Sequence, residues 1–373
     1  MTQPCWNARF GRSASISPRP RPPSFVASSA TRLNFNLAGS SASWDSTGWI
    51  PPPHAPPACS PSTANPRTSE HSSPHRTAAE PRPYSPTRSP SMSNPERQII
   101  ALEESHFGLD GGAMFGIIPR PLWARTNPPD ENNRIAMSAR CLLIRDPDRV
   151  TLIDTGMGTR WSEKERGIYK IDAQDAGLRQ ALAAQNLTPE DVDDVILTHL
   201  HFDHAGGLRT PDAEGVLRPT FPNARHWVQR RNWSWAHSPS ARDAGSYRVE
   251  DFDLFDAPDA PPLHLVDGIS ELFDGIEVLP VHGHTFGMQV VKFNAAGQTY
   301  AFVADLIPTA SHLRDPYVMG YDLQPLKTVE EKREILYHAQ REGWILIFEH
   351  DPTTAMARVD LDRHGQPVAV PLE

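Results

Sequence analysis

The feature that most constrains this fold is a cluster of metal-binding side-chain types in LTHLHFDHAGGL (197–208). The short β-branched run DVILT (194–198) leads into it and predicts a strand. Side chains two residues apart near the end of a strand face the same side, so His199, His201 and Asp203 are expected to converge. His204 is expected to turn toward them, because the chain bends before the two glycines that follow. The four residues are His199, His201, Asp203 and His204.

Neutral imidazoles combined with a carboxylate suit a borderline divalent ion such as zinc. Four ligands on such short tethers are too many for one tetrahedral ion. The simplest arrangement places His199 and His201 on one metal, and Asp203 and His204 on a second. The alternative is a chance cluster of surface or core histidines.

Three later apolar runs each end in a further ligand type. His284 follows a strand in LPVHGHTFG, Asp305 ends the run in FVADLI, and His350 does so in LIFEHD. A protein tolerates such polar residues beside buried strands mainly when a site offsets the cost of burial. Each alone would more often be an ordinary loop residue, but together in this order they support a two-metal site.

The chain joins two different materials. Residues 1–91 contain 17 of the 38 prolines, nine arginines and three acids, and they lack apolar periodicity, which predicts a disordered segment. A transit peptide, a Pro-rich interaction tail and an over-extended gene start are the alternatives, and the last, with Met92 as the true start, is favoured. Residues 92–373 are predicted to form the folded domain.

The pattern of the folded part indicates an α/β protein. Two strands flank an Asp-Pro-Asp turn in 139–156, helices are predicted over 173–187 and 327–341, and short strands surround GIEVLPV, MQVVKFN, TYAFVAD and a last one, WILIFEHD. After the first helix, Thr188 is expected to cap a short helix with Pro189 at its first position. Hairpin-like pairs in both halves favour two sheets packed face to face with helices outside.

Composition excludes several classes of partner. The net charge is −9, and the region after residue 91 is more acidic still, which argues against nucleic acid. The sequence contains no run of 18 apolar residues, so it predicts no membrane span. The cysteines, Cys5, Cys59 and Cys141, form no framework, which favours a reducing cytoplasm. A homodimer is left open.

With its ligand series His-x-His-x-Asp-His, then His, Asp and His, the chain resembles the metallo-β-lactamase-fold superfamily from about residue 96 onward. The resemblance implies a four-layered αβ/βα sandwich and two divalent metal ions, with zinc expected. Asp305 would bridge the ions, and Asp154 of LIDTG would support the site from outside. It implies that metal one is held by His199, His201 and His284, and metal two by Asp203, His204 and His350.

The segments LDGGAMFGIIPRPLW (109–123) and DPYVMGYDLQPL (315–326) resemble the quorum-quenching, YtnP-like N-acyl-homoserine lactonase branch. This implies a carboxylic ester hydrolase that opens the lactone ring through a metal-bridging hydroxide. Asp203 is the catalytic candidate that orients the nucleophile or moves a proton. A candidate wall for an acyl chain, alternatively core or a dimer contact, is formed by Met114, Phe115, Ile117, Ile118, Leu122 and Trp123.

Two positions depart from the family pattern. Small lactonases carry a substrate-contacting Tyr three residues after the bridging Asp, where this chain has Pro308, so Tyr317 or Tyr321 is expected to substitute or else to pack as a core aromatic. The usual Pro-Gly-His reads His282-Gly283-His284 here, and His282 is not expected to be a ligand.

Other functions stay open on the same site. Another ester, a thioester, a phosphotriester or a β-lactam is the alternative substrate, and a catalytically inactive binding scaffold is a distant one. A glyoxalase-type thioesterase is disfavoured because only about 23 residues follow His350. A diiron enzyme of this fold would carry Glu at the position of His201.

Overall fold

The computed structural model describes residues 97–172, 177–258 and 260–372, all within one structural unit, Arg82–Glu373. The predicted disordered segment 1–91 lies outside the described residues, as does the start of the predicted helix over 173–187. Among the described residues, no helix combines the length and apolar character that crossing a membrane requires.

Within the described residues, fifteen strands form two large sheets and a separate hairpin. The strands are β1 (Gln98–Asp110), β2 (Arg134–Asp146), β3 (Arg149–Ile153), β4 (Asp194–Ile196), β5 (Arg209–Pro211), β6 (Leu217–Pro219), β7 (Arg225–Gln229), β8 (Leu263–Val266), β9 (Ser270–Phe273), β10 (Ile276–Val281), β11 (Met288–Ala295), β12 (Gln298–Phe302), β13 (Ile345–Ile347), β14 (Met356–Leu361) and β15 (Pro367–Pro371).

The α-helices within the described residues are mostly short. They are α1 (Gly111–Phe115), α2 (Arg120–Trp123), α3 (Glu163–Tyr169), α4 (Gly177–Ala183), α5 (Phe202–Ala205), α6 (Arg230–Ala236), α7 (Val249–Phe252) and α8 (Pro325–Glu342).

The two sheets differ in how their strands run. The first has the order β1-β2-β3-β4-β7-β8, antiparallel from β1 to β3 and parallel from β3 to β8. The second has the order β15-β14-β13-β12-β11-β10-β9 and is antiparallel except between β12 and β13. Strands β5 and β6 form the separate hairpin.

Alternation along the strands builds the layers. On β2, Leu142 and Ile144 point into a core shared with the second sheet, including Val290 of β11 and Phe302 of β12. Their neighbour Leu143 points to the other face, where α4, α6 and α7 pack. Helix α8 covers the second sheet through its buried apolar residues. The predicted αβ/βα sandwich is confirmed.

Most predicted elements are confirmed, including the hairpin of β2 and β3, the long helix α8, and the cap at Thr188 before the short helix Pro189–Asp191. The prediction that WILIFEHD holds the last strand is wrong, because β14 and β15 follow it. They form a hairpin with its turn at Asp362. The alternation of β14, with Ala357 and Val359 facing inward, was present in the sequence.

The burial of His226 on β7 predicts that the free energy of unfolding falls at acidic pH. Burial lowers its pKa from 6.5 to about 4, and its Nδ1 has no hydrogen-bond partner among the described residues. The unfolded chain therefore binds the proton first, so stability falls as the pH falls from 6.5 to 4, by about 2 kcal/mol between pH 7.5 and pH 5. His226→Phe should remove this loss, measured by urea unfolding at both pH values.

Exposed His106 on β1 offers the matched control, and His106→Phe should keep the wild-type dependence on pH. An unchanged slope in His226→Phe would show that other groups cause the acid sensitivity.

Candidate metal centre

The predicted ligands follow strands that run in one direction. Strands β3 and β4 are parallel in the first sheet, and β10, β12 and β13 share a direction in the second, since β10 and β12 both run antiparallel to β11. Their carboxyl ends therefore meet at one edge of the two sheets. The residues that follow these ends are Asp154 after β3, His199 to His204 after β4, His284 after β10, Asp305 after β12 and His350 after β13.

The local geometry of the first cluster differs from the prediction. Strand β4 ends at Ile196, so His199 lies in a loop, and His201 is the N-cap of α5. Asp203 and His204 sit within this helix. The predicted strand alternation is wrong, and a loop followed by one helical turn gathers the four side chains instead.

The glycines after α5 are required by close packing. A Cβ on Gly206 would stand 2.2 Å from the carbonyl oxygen of Met157, and one on Gly207 would stand 2.2 Å from that of Thr155. Only glycine lets the loop after β3 approach this backbone so closely. This contact also brings Asp154 beside the cluster.

The first group of converging atoms comes from His199, His201, His284 and Asp305, all buried. His201 Nδ1 lies 3.0 Å from His199 Nε2 and 3.1 Å from His284 Nε2. Asp305 Oδ2 stands 3.0 Å from His284 Nε2. These four residues include the three that the resemblance assigned to metal one.

The second group consists of Asp203, His204 and His350. His350 Nε2 lies 3.3 Å from His204 Nε2 and 3.7 Å from Asp203 Oδ2. Asp305 reaches this group too, because its Oδ1 is 3.0 Å from His350 Nε2. The structure thus brings all seven predicted residues together, with Asp305 between the two groups.

The donor set fits divalent cations. Burial, reinforced by the neighbouring histidines, holds the pKa of His199 and His201 well below the usual value, so both imidazoles are neutral. The ring nitrogens of His199 and His284 both face His201 Nδ1, and a single N–H at that atom could serve only one of them. Burial would raise the pKa of Asp305, but His284 and His350 outweigh it and keep Asp305 ionised.

Outer hydrogen bonds fix the rings. Asp154 Oδ2 lies 3.1 Å from His204 Nδ1, and the carbonyl of Ser138 accepts from His350 Nδ1 at 2.8 Å. Asp322 Oδ1 stands 3.0 Å from His284 Nδ1. Sequence reasoning expected the support from Asp154 but missed Asp322, although it lies in the quoted segment GYDLQPL. His282 stays outside both groups, and its Nδ1 accepts from the backbone N–H of Gly287.

A cavity of about 250 Å³ opens beside both groups. Its apolar lining differs from the predicted wall, of which only Met114 lines it. Phe115 and Trp123 are buried in a neighbouring cluster, whereas Ile117 is 86% exposed. The chain turns at Gly116, where φ is +54°, and this turn directs Ile117 away. The other apolar lining residues are Leu109, Met137, Phe202 and Met319.

The two candidate tyrosines take different places. Tyr321 lines the cavity together with Asp203. Tyr317 packs edge-on against Phe115, with ring centroids 5.9 Å apart. Tyr169, which the sequence did not single out, also lines the cavity, with Arg242 and Ser246 at its polar side.

Comparisons with known proteins agree with this architecture. A crystal structure of a probable metal-dependent hydrolase from Staphylococcus aureus is similar, with a TM-score of 0.65 and 30% identity, covering 75% of this chain and 98% of that one. AidC, described as a dizinc quorum-quenching lactonase, shares the fold at a TM-score of 0.60 and 19% identity, covering 76% and 96%.

Sequence comparison agrees with the structural comparison. N-acyl homoserine lactonase AiiB of Agrobacterium fabrum is 33% identical over 255 residues, covering 63% of this chain and 87% of that protein. The model of the Metallo-beta-lactamase superfamily matches residues 135–350, more than half of the chain and the span from β2 to His350. The predicted family and enzyme class, a metal-dependent hydrolase, are confirmed: the chain belongs to the metallo-beta-lactamase superfamily.

Proposed function

We propose that the chain is a dinuclear zinc hydrolase that opens the ring of N-acyl-homoserine lactones. The observation that carries this is the convergence of seven buried candidate ligands in two groups joined by Asp305, beside a cavity that combines these polar groups with apolar side chains. The lactonase names of several relatives support the substrate class.

We propose that His199, His201 and His284 hold one ion and Asp203, His204 and His350 the other, with Asp305 between them. Nitrogen and carboxylate donors without thiolate favour zinc, and Cys141, the one cysteine in the described residues, is buried outside both groups. Bound divalent ions would polarise the lactone carbonyl and lower the pKa of a nearby water.

The residues of the chain supply orientation and proton transfer. Asp203 both belongs to the second group and lines the cavity, so its carboxylate is placed to orient the attacking water and to pass a proton to the leaving oxygen. Met114, Met137 and Met319 offer a flexible apolar wall for the acyl chain.

We also propose a domain boundary between residues 91 and 92, a small-molecule partner and a cytoplasmic location. A homodimer is compatible with this proposal. The alternative substrates are another ester, a thioester, a phosphotriester or a β-lactam. A pH-stat assay compares each of them with the lactone.

The zinc-loaded chain should release protons from N-hexanoyl-homoserine lactone in a pH-stat, and far less from a linear ester, a thioester, a phosphotriester and a cephalosporin. Asp203→Asn should lower kcat by about 10²–10⁴-fold, because general acid–base catalysis contributes that much. Asp212→Asn, at the turn between β5 and β6, should leave turnover unchanged. Turnover of a different substrate class, without turnover of the lactone, would refute the lactone assignment. Turnover by Asp203→Asn at the wild-type rate would refute the site.

Tyr321→Phe should lower kcat/KM for the lactone by about fivefold, since one lost hydrogen bond is worth about 1 kcal/mol. Tyr317→Phe is the matched control on the same loop and should stay within about twofold, because Tyr317 packs against Phe115. Equal effects of the two variants would show that Tyr321 does not contact the substrate.

Asp322→Asn should weaken zinc binding by about 10–100-fold, because the charged partner of His284 Nδ1 is lost. Competition with a chromophoric chelator measures this. Asp315→Asn, an acid paired with Arg333 on the same loop, should bind zinc as the wild type does. If both variants keep the wild-type affinity, Asp322 does not support the site.

A further inference from the structure

Among the residues that line the cavity beside the metal groups, Arg242 is the only lysine or arginine. Within the described part of the chain, no aspartate or glutamate makes an ion pair with it. Its Nη2 donates to the carbonyl oxygen of Gly320 and stands 3.5 Å from that of Asp322, whereas neither Nε nor Nη1 donates to a described residue. The guanidinium is therefore tethered at one nitrogen and keeps N–H groups on two others for a ligand.

The backbone that carries Arg242 is fixed before any ligand arrives. Asp243, the next residue, is buried and accepts from the Ser240 hydroxyl and from Trp235 Nε1, both at 2.7 Å. The tether to Gly320 holds the other end of the side chain. A guanidinium held at both ends loses little freedom when a ligand binds, and such preorganisation favours binding.

The surroundings of Arg242 place it beside the acyl part of a bound lactone rather than at the reacting carbonyl. Its tether joins the loop of Met319 and Tyr321, which both line the cavity. Asp203 and Asp305, the carboxylates of the two metal groups, pair with histidines and not with Arg242. Because the lactone carbonyl reacts at those groups, the arginine is left for the part of the substrate outside the ring.

The part of the substrate next to the ring offers carbonyl oxygens. An unsubstituted acyl amide presents one such oxygen, whereas a 3-oxoacyl amide presents a second, separated from the first by a single methylene group. Hydrogen bonds from a charged donor to such oxygens are stronger than those from a neutral donor. The free N–H groups of Arg242 exceed what one amide oxygen uses, so the 3-oxo oxygen gains a hydrogen bond. A methylene group at that place would leave the charged group facing hydrocarbon.

We propose that Arg242 is a specificity-determining residue that selects N-(3-oxoacyl)-homoserine lactones over lactones with an unsubstituted acyl chain. This inference rests on the proposed lactonase function and narrows its substrate class. Arg242 donates to the amide and 3-oxo oxygens, while the methionines of the cavity contact the rest of the chain. Because Arg242 is exposed to solvent in the free protein, the discrimination lies at the lower end of what a charged hydrogen bond contributes, about tenfold in kcat/KM.

The test compares N-(3-oxooctanoyl)- and N-octanoyl-homoserine lactone on the zinc-loaded full chain. The measured quantity is the ratio of the two kcat/KM values, because a variant that impairs both substrates equally leaves this ratio unchanged. The 3-oxo group lies too far from the lactone carbonyl to change its intrinsic reactivity. We expect a ratio of about ten for the wild type and about one for Arg242→Met. Arg242→Gln, which keeps an amide donor but loses the charge, should give a ratio of about three.

The matched control is Arg218→Met. Arg218 is an arginine of β6 that pairs with Asp212 and does not line the cavity. This variant should keep the wild-type ratio.

A wild-type ratio near one overturns the role of Arg242, and so does a wild-type ratio that persists in Arg242→Met. If Arg242→Met fails to fold, Arg242→Gln decides, and an unchanged ratio in that variant overturns the role as well. In each of these cases the octanoyl lactone is still hydrolysed, and the proposed function stands. A wild type that hydrolyses neither lactone would overturn both.

Discussion

The structure depends on burying seven candidate metal ligands where the two sheets meet. Strands β3 and β4 end there from one sheet, and β10, β12 and β13 end there from the other. Burying imidazoles and carboxylates is costly unless they pair with one another or bind a cation. The apolar core between the sheets holds the strand ends in register and so enforces the convergence.

A second layer of contacts turns this convergence into defined ring orientations. Arg140 of β2 donates to the carbonyl of Asp351 at 2.9 Å and also to that of Phe348, which anchors the loop that carries His350. Asp154 holds its place in the left-handed region, at φ +57°, and such backbone strain persists where the surrounding structure fixes it. Packing, rather than ligand type alone, therefore decides which ring nitrogen faces the cavity.

The cavity links this centre to a choice of substrate. Its lining combines Asp203 and Asp305 with three methionines and with Tyr169 and Tyr321. A small cyclic ester with a flexible apolar chain matches that combination, because the polar ring would meet the proposed ions while the chain contacts side chains that adapt their shape.

The sequence by itself predicted the family, the layered fold and the seven residues of the candidate site. Four of these residues form the series His-x-His-x-Asp-His, and the other three each follow an apolar run. It misjudged the path of the chain at 199–204, since spacing of two residues is compatible with both a strand and a loop that enters a helix. It also assigned most of 114–123 to the acyl wall, although hydrophobicity alone does not say which side of a turn a residue faces. Only the tertiary structure shows that Asp322 contacts His284 and that Tyr321, rather than Tyr317, lines the cavity, because these positions depend on which distant segments pack together.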